Sequence, residues 1–276
     1  MKTCVVTTFH QLGYQQYGKR CIESFLEKWP DTVSMLIYPE ETSVNLSEAR
    51  LQFLDPLEAL PKLQQFKSSY RDNPFANGTN PIIPKKTQNF RWDAYRFSNK
   101  VFAVTDAIRR CQGTFDQLIW LDADTVTHTP IPEKFLTKIA PNKRQLAAYL
   151  NRRGYPECGW VGYNLKHPEI LNFANRFEQI YLSGEFLTFK ENHDSYIFWE
   201  IVQEMERSNK ATFKELGSRW RTGHIFIKSA LGEYVDHLKG DRKIEGRSKE
   251  RNTLSLVRKF PHFLQQTFSK YNSQKK

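Results

Sequence analysis

Two aspartates, Asp122 and Asp124, close the run LIWLDADT at residues 118–125. Four apolar residues followed by two carboxylates one residue apart predict a buried strand that delivers acids to its carboxyl end, where open α/β sheets bind ligands. Carboxylates so close repel one another. A divalent cation relieves that repulsion, and Mg²⁺ and Mn²⁺ favour one or two carboxylates together with phosphate oxygens. The plainer explanation is that one Asp caps the following turn while the other is solvated. A third acid, Asp194, stands in ENHDSYIFWE at 191–200, just ahead of an apolar helical run, with His193 beside it. A helix N-terminus there either holds a carboxylate ionised for chemistry or uses it as a cap.

These groups need a sheet to carry them, and the sequence supplies one. Cys4–Phe9 is a buried β-branched run, Tyr17–Trp29 has a helical pattern stopped by Pro30, and Val33–Tyr38 is apolar again, which together make a βαβ opening. From Glu40 to Lys86 five prolines (Pro56, Pro61, Pro74, Pro81 and Pro84) break a polar stretch into short helices and a long surface excursion. Phe97, Val101, Val104 and Ile108 then fall on one stripe of a helix near Trp92–Arg110, with Arg96 and Lys100 beside it on neighbouring turns. Leu118–Leu121, Leu146–Leu150 and Trp160–Tyr163 read as strands, Ile170–Tyr181 and Ser195–Glu206 as helices, and TGHIFI from Thr222 as a last strand. Strands alternating with helices predict an α/β sandwich around a mixed, mostly parallel sheet.

The string WLDADT after a hydrophobic strand resembles the DxD of nucleotide-sugar glycosyltransferases with the GT-A (Rossmann-like) fold, in the form used by the glycogenin-like and lipopolysaccharide galactosyltransferase family. ECGWVGYN at 157–164 resembles that family's later glycine-containing strand ending in Asn. His237, Gly240 and Lys243 in VDHLKGDRK stand in its HxxGxxK spacing. The resemblance runs over roughly residues 3 to 245, with 42 to 85 outside it. It implies that Asp122, Asp124 and His237 hold Mn²⁺ (or Mg²⁺), that the Asp122-Ala123-Asp124 segment meets the donor, that Gly240 lets the backbone approach a diphosphate, and that Lys243 places a point charge on it. Carried over in the same way, Thr7, Thr8 and Phe9 touch the nucleotide base and ribose, Tyr17 stacks on them, and Arg96 and Lys100 contact the donor. Asp194 takes the place of the family's acid, either as the base that deprotonates the acceptor hydroxyl, which would suit inversion, or as a carboxylate near the anomeric carbon. Trp160, preceded by Gly159, is either a sugar platform or a core side chain. The implied activity is a hexosyltransferase, with retention slightly favoured, moving a sugar from a UDP-sugar donor to a glycan or lipid-linked acceptor.

Two other functions compete. DADTV also fits the DxDx[TV] nucleophile motif of haloacid-dehalogenase-like phosphatases, in which Asp122 would attack phosphorus, although that motif usually lies near the N-terminus. The net charge of +11 raises the possibility of a basic, non-enzymatic anion-binding protein. Residues 239–276, however, hold 11 Lys and Arg against 3 Asp and Glu, so a surplus of only three remains for residues 1–238. Such a distribution argues against nucleic acid, whose partners interleave basic and aromatic residues along a groove. It separates a catalytic domain, 1–248, from a basic amphipathic tail, 249–276, suited to peripheral contact with an anionic membrane face or, equally, to packing on the domain as a helix that Pro261 would break. Four cysteines without a CxxC pair, and no run of about 20 apolar residues, predict free thiols and a cytoplasmic location, at the inner face of a membrane if the tail docks.

Overall fold

The computed structural model describes all residues except 42, 43, 45, 84–88, 218–223 and 252–276. Its strands are β1 (Thr3–Phe9), β2 (Ser34–Pro39), β3 (Leu51–Phe53), β4 (Gln117–Leu121), β5 (Thr125–Thr127), β6 (Gln145–Leu150), β7 (Glu157–Asn164), β8 (Thr212–Glu215) and β9 (Val235–His237). Seven of them form one sheet in the order β3-β2-β1-β4-β7-β6-β8, and β5 pairs with β9 in a separate ribbon. Within the large sheet only β7 runs against its neighbours, β4 and β6; every other pairing is parallel. The chain is therefore an α/β sandwich with a mixed, mostly parallel sheet. It winds from β1 outward to β3 and then crosses back to β4 on the other side of β1. That reversal opens a crevice between the carboxyl ends of β1 and β4, the place where α/β sheets take ligands.

Helices cover both faces. On one side lie Pro61–Tyr70, Ala94–Cys111, Ile170–Leu182 and Asp194–Arg207, and on the other Lys19–Lys28 and Glu133–Ile139. Asp93 starts the Ala94 helix by accepting a hydrogen bond from the Arg96 amide at 3.3 Å, and Val101, Val104 and Ile108 sink into the core as their spacing predicts. The first helix begins earlier than its apolar pattern: a π turn over Tyr14–Gly18 leads into Lys19–Lys28. All four cysteines are free and buried.

Two expectations need correction, and one open alternative is decided. The proline-broken stretch is more than a surface excursion: β3 extends the sheet, and the Pro61 helix buries Leu63 and Phe66. Phe66 packs against Phe102, Tyr181 and Phe186, with centroids 5.6–6.0 Å apart. Cutting such a ring back to Ala costs about 3–5 kcal/mol, so the segment belongs to the core. TGHIFI does not form a strand. Ile225–Lys228 is one helical turn whose Ile225, Phe226 and Ile227 are all buried, and Ser229 at once accepts from the Leu231 amide (3.1 Å) to begin another turn. Burial alone does not tell this turn from a strand covered on both faces; Thr222 and Gly223 lie outside the described residues. Trp160, finally, is fully buried and stacks on Trp29 at 5.6 Å, so it is a core side chain and no sugar platform. The expected amphipathic tail falls, past Arg251, outside the described residues. Among the described residues no helix is long and apolar enough to cross a membrane.

Candidate active site

β4 is buried at all five positions, and Asp122 emerges from it with its amide still on the ladder, donating to the Gly159 carbonyl of β7 at 3.0 Å. The chain then turns: the Thr125 amide donates back to the Asp122 carbonyl, also at 3.0 Å, and β5 leaves in a new direction. β5 pairs antiparallel with β9, setting Thr125 opposite His237, and the Leu238 amide donates to the Asp124 carbonyl at 2.8 Å. This small ribbon is what brings a distant histidine onto the aspartate pair.

His237 Nε2 lies 2.9 Å from Asp124 Oδ1 and 3.5 Å from Asp122 Oδ2. The outer oxygens are taken by lysines: Lys100 Nζ sits 3.1 Å from Asp122 Oδ1, and Lys243 Nζ 3.0 Å from Asp124 Oδ2. Each aspartate thus turns one oxygen to a lysine and the other inward to the imidazole. Among the described residues Asp122, Asp124 and His237 are the cluster suited to a cation, with one ligand atom from each and all three atoms within 4.8 Å of one another. Two carboxylates and an imidazole nitrogen fit a borderline-hard divalent ion, with open positions for phosphate oxygens. Burial would raise the Asp124 carboxyl, but His237 and Lys243 outweigh it and hold it well below the usual carboxylate range. Burial would likewise lower His237, but Asp124 raises it.

Lys100 is the hub of the inner wall. Besides Asp122 it pairs with Asp194 Oδ2 at 2.8 Å, donates to the Cys158 carbonyl at 2.6 Å, and lies over the Trp120 ring. Burial opposes its charge, yet Asp122 and Asp194 drive its pKa upward. Asp194 is the first residue of its helix, with His193 at the cap position. Against its burial, Lys100 and His193 hold its carboxyl far below the usual range. It is therefore an ion-paired carboxylate, ionised at neutral pH.

These residues line one cleft of about 590 Å³ at the carboxyl ends of β1 and β4, within the size range of small-molecule sites. The structure brings Thr8, Phe9, Tyr17, Arg96, Lys100, Asp122, Ala123, Asp124, Asp194, His237, Gly240 and Lys243 to its wall, and His193 with them. Thr7 is the exception. It lies deeper in β1 than Thr8 and Phe9, its side chain is fully buried with no hydrogen-bond partner for Oγ1, and it does not line the cleft. Lys243 Nζ lies 4.5 Å from the Tyr17 ring centroid, and the Arg20 guanidinium holds the Lys243 carbonyl at 3.1 Å. Gly240 adopts φ +61°, a left-handed conformation that glycine takes without strain.

Several lining residues escape the sequence reading. Glu40, just past β2, faces Thr8 and accepts from Asn99 Nδ2 at 2.7 Å; burial pushes its carboxyl up to about 7. Glu157 opens β7 beside His237, with Arg152 and Lys239 on it. A signal for Glu157 existed, since it begins the ECGWVGYN string two residues ahead of Gly159 and so shares that residue's face of the strand.

No protein-family model and no curated protein sequence matches the chain. Among solved structures, the apo form of mouse xyloside xylosyltransferase 1 aligns with 80% of this chain and 87% of its own, at 14% identity and a TM-score of 0.49. The apo WbbM bifunctional glycosyltransferase aligns with 86% of this chain, again at 14% identity, with a TM-score of 0.46. The match covers 46% of WbbM, so this chain spans about half the length of that protein.

Proposed function

We propose that the chain is a divalent-metal-dependent glycosyltransferase of the GT-A type that takes a hexose from a UDP-sugar and passes it to a hydroxyl of a glycan or lipid-linked acceptor. The observation that carries this reading is the convergence of Asp122, Asp124 and His237 on one point of the cleft at the switch between β1 and β4. Bound there, Mn²⁺ or Mg²⁺ would supply the charge that stabilises the departing diphosphate, and the imidazole ligand favours Mn²⁺.

The chain's own residues do the rest. Lys243 adds a fixed positive charge for the diphosphate, and Gly240 lets the backbone come close to it. Thr8 and Phe9 at the end of β1, with Tyr17 and Arg96, wall the side of the cleft assigned to the nucleoside. Asp194, ionised and locked by Lys100, is suited to stabilise positive charge developing at the anomeric carbon; a free base would need an unpaired carboxylate near neutrality. That assignment accords with retention of configuration. Asp122 is poorly disposed to attack phosphorus, since its Oδ1 accepts from Trp120 Nε1 (2.6 Å) as well as from Lys100. The phosphatase alternative loses support accordingly. The basic segment from residue 249 onward would seat the enzyme on the anionic inner face of a membrane.

Thermal shift against a panel of nucleotide sugars, with and without Mn²⁺, tests the reading. A true donor at a hundredfold its Kd adds about 2.7 kcal/mol of stability. That gain should require Mn²⁺ and vanish in Asp124→Ala. No Mn²⁺-dependent response to any donor, together with Mg²⁺-dependent phosphatase turnover, overturns it.

A further inference from the structure

His237 is 1% exposed, and its Nδ1 is a buried polar atom with no hydrogen-bond partner. The group nearest in chemistry is Glu157, whose Oε1 lies 3.6 Å away, just beyond hydrogen-bond reach. The other oxygen of Glu157 is occupied: Lys239 Nζ is 2.5 Å and Arg152 Nη1 3.6 Å from Oε2. Oε1 is thereby left facing the imidazole. Two residues along the same face of β7, Gly159 makes room for the ring, since a Cβ there would fall 2.6 Å from both Cε1 and Nδ1 of His237. One strand face thus supplies both the space for this imidazole and a carboxylate aimed at its outer nitrogen.

We infer that Glu157 is a positioning residue for the metal-binding histidine: it accepts a hydrogen bond from Nδ1–H of His237 and so keeps Nε2 bare and directed at the cation. The inference rests on the metal reading given above. A neutral imidazole carries its one proton on either nitrogen, and only the Nδ1–H form leaves Nε2 free to ligate. A carboxylate on the outer nitrogen selects that tautomer, and removing such partners typically costs 10–100-fold in metal affinity. Lys239 and Arg152 hold Glu157 in place by gripping the oxygen that His237 does not use.

Glu157→Gln makes the sharpest test. The amide has one acceptor oxygen, which Lys239 and Arg152 will claim, so its NH₂ turns toward Nδ1 and forces the proton onto Nε2. An amide replacing a histidine-orienting carboxylate selects the wrong tautomer in this way. The full-length chain is titrated with Mn²⁺ alone, free ion being followed by electron paramagnetic resonance. Glu157→Gln should bind at least about tenfold more weakly than wild type. Glu157→Ala, which selects neither tautomer, should lose less. In ¹⁵N-histidine spectra of Zn²⁺-loaded wild type, the His237 signal, assigned by its absence in His237→Ala, should carry its proton on Nδ1; metal-free Glu157→Gln at alkaline pH should carry it on Nε2. Undiminished Mn²⁺ affinity in Glu157→Gln, a greater loss in Ala than in Gln, or a proton on Nε2 in the Zn²⁺ form would each overturn the inference. Wild type that binds no Mn²⁺ refutes the metal reading itself, a result distinct from wild type and variant binding alike.

Discussion

Lys100→Met is the substitution with the largest consequence that the geometry allows to be worked through. It keeps the aliphatic stem over Trp120 and deletes only the ammonium that joins Asp122, Asp194 and the Cys158 carbonyl. The side chains of Lys100 and Asp194 are 13% and 6% exposed, so water cannot replace the lost partner. Breaking a buried ion pair from one side costs about 3–5 kcal/mol, because the orphaned charge stays in the interior. At roughly 2.1 cal/mol/K per residue, unfolding 276 residues carries about 0.58 kcal/mol/K, and the loss becomes a Tm decrease of about 5–9 °C. Differential scanning calorimetry at pH 7 reads it directly.

The pH dependence gives an independent check. Asp194 has a depressed folded-state pKa, so its contribution to stability is present above the unfolded carboxyl value and is lost as pH falls through the folded one. Without Lys100 that contribution is absent, and the gap between wild type and variant should narrow on acidification below pH 4. Adding Asp194→Asn to Lys100→Met should recover about 1–3 kcal/mol relative to additivity, the coupling expected of contacting charges. A Tm change under about 2 °C at pH 7, or a gap that widens in acid, refutes the claim that Lys100 is the electrostatic hub of this wall.

Gly159→Ala places a methyl group 2.6 Å from His237 Nδ1; Mn²⁺ affinity measured by calorimetry should fall by about tenfold or more, the scale of losing a ligand's orientation. The metal-free chain should lose stability as pH rises from about 6.5 through the raised value of His237, because a group with an elevated folded pKa stabilises only while protonated. Saturating Mn²⁺ reverses that slope, since the ion competes with the proton on Nε2, and paired melting series from pH 6 to 9 show both trends. Glu40→Gln removes a carboxylate whose pKa is raised to about 7, so it should leave stability at pH 4 unchanged and raise it by about 1 kcal/mol at pH 8, where ionised Glu40 is penalised in the fold. Asp236, fully buried, accepts from both the amide and the hydroxyl of Ser248 at 2.7 Å and so ties down the far end of the segment that carries Lys243. Asp236→Ala should cost about 3 kcal/mol in chemical denaturation and weaken Mn²⁺-dependent UDP binding.

The parts of this molecule legible in its sequence are those where neighbouring residues share one physical task. LIWL reads as a strand because a four-residue apolar run cut off by acids is too short for a buried helix, and the acids after it leave the sheet because two carboxylates do not stay in a core unpaired. The stripe of Val101, Val104 and Ile108 likewise fixes which side of its helix faces inward, which in turn sets Arg96 and Lys100 at the cleft. Misreadings arose where local pattern and tertiary demand part company. Ile225, Phe226 and Ile227 have strand propensity, but the space beneath them accommodates one helical turn, and burial of all three outweighs a preference worth tenths of a kcal/mol per residue. Thr7 and Thr8 are alike as letters; only the register of β1 against β2 and β4 decides which one meets the cleft.

Charge was legible in amount and illegible in pairing. A surplus of three over residues 1–238 suggests a nearly neutral domain, and around the cleft that balance is local: Lys100, Lys243, Lys239 and Arg152 together match the four carboxylates of Asp122, Asp194, Asp124 and Glu157. With these carboxylates already matched, the added charge of a divalent cation makes the cleft net positive. An anionic diphosphate is the ligand that such a site then favours, while the same cleft without metal offers an anion little surplus charge. Coupling of this kind requires nucleotide affinity to rise with Mn²⁺ and Mn²⁺ affinity to rise with nucleotide by the same factor, since the two share one linkage free energy. Measuring both legs by calorimetry at pH 7.5, with UDP as the nucleotide, tests the electrostatic account: unequal factors would expose a faulty binding model, and a factor of one would mean that the cluster and the cleft wall do not form a single site.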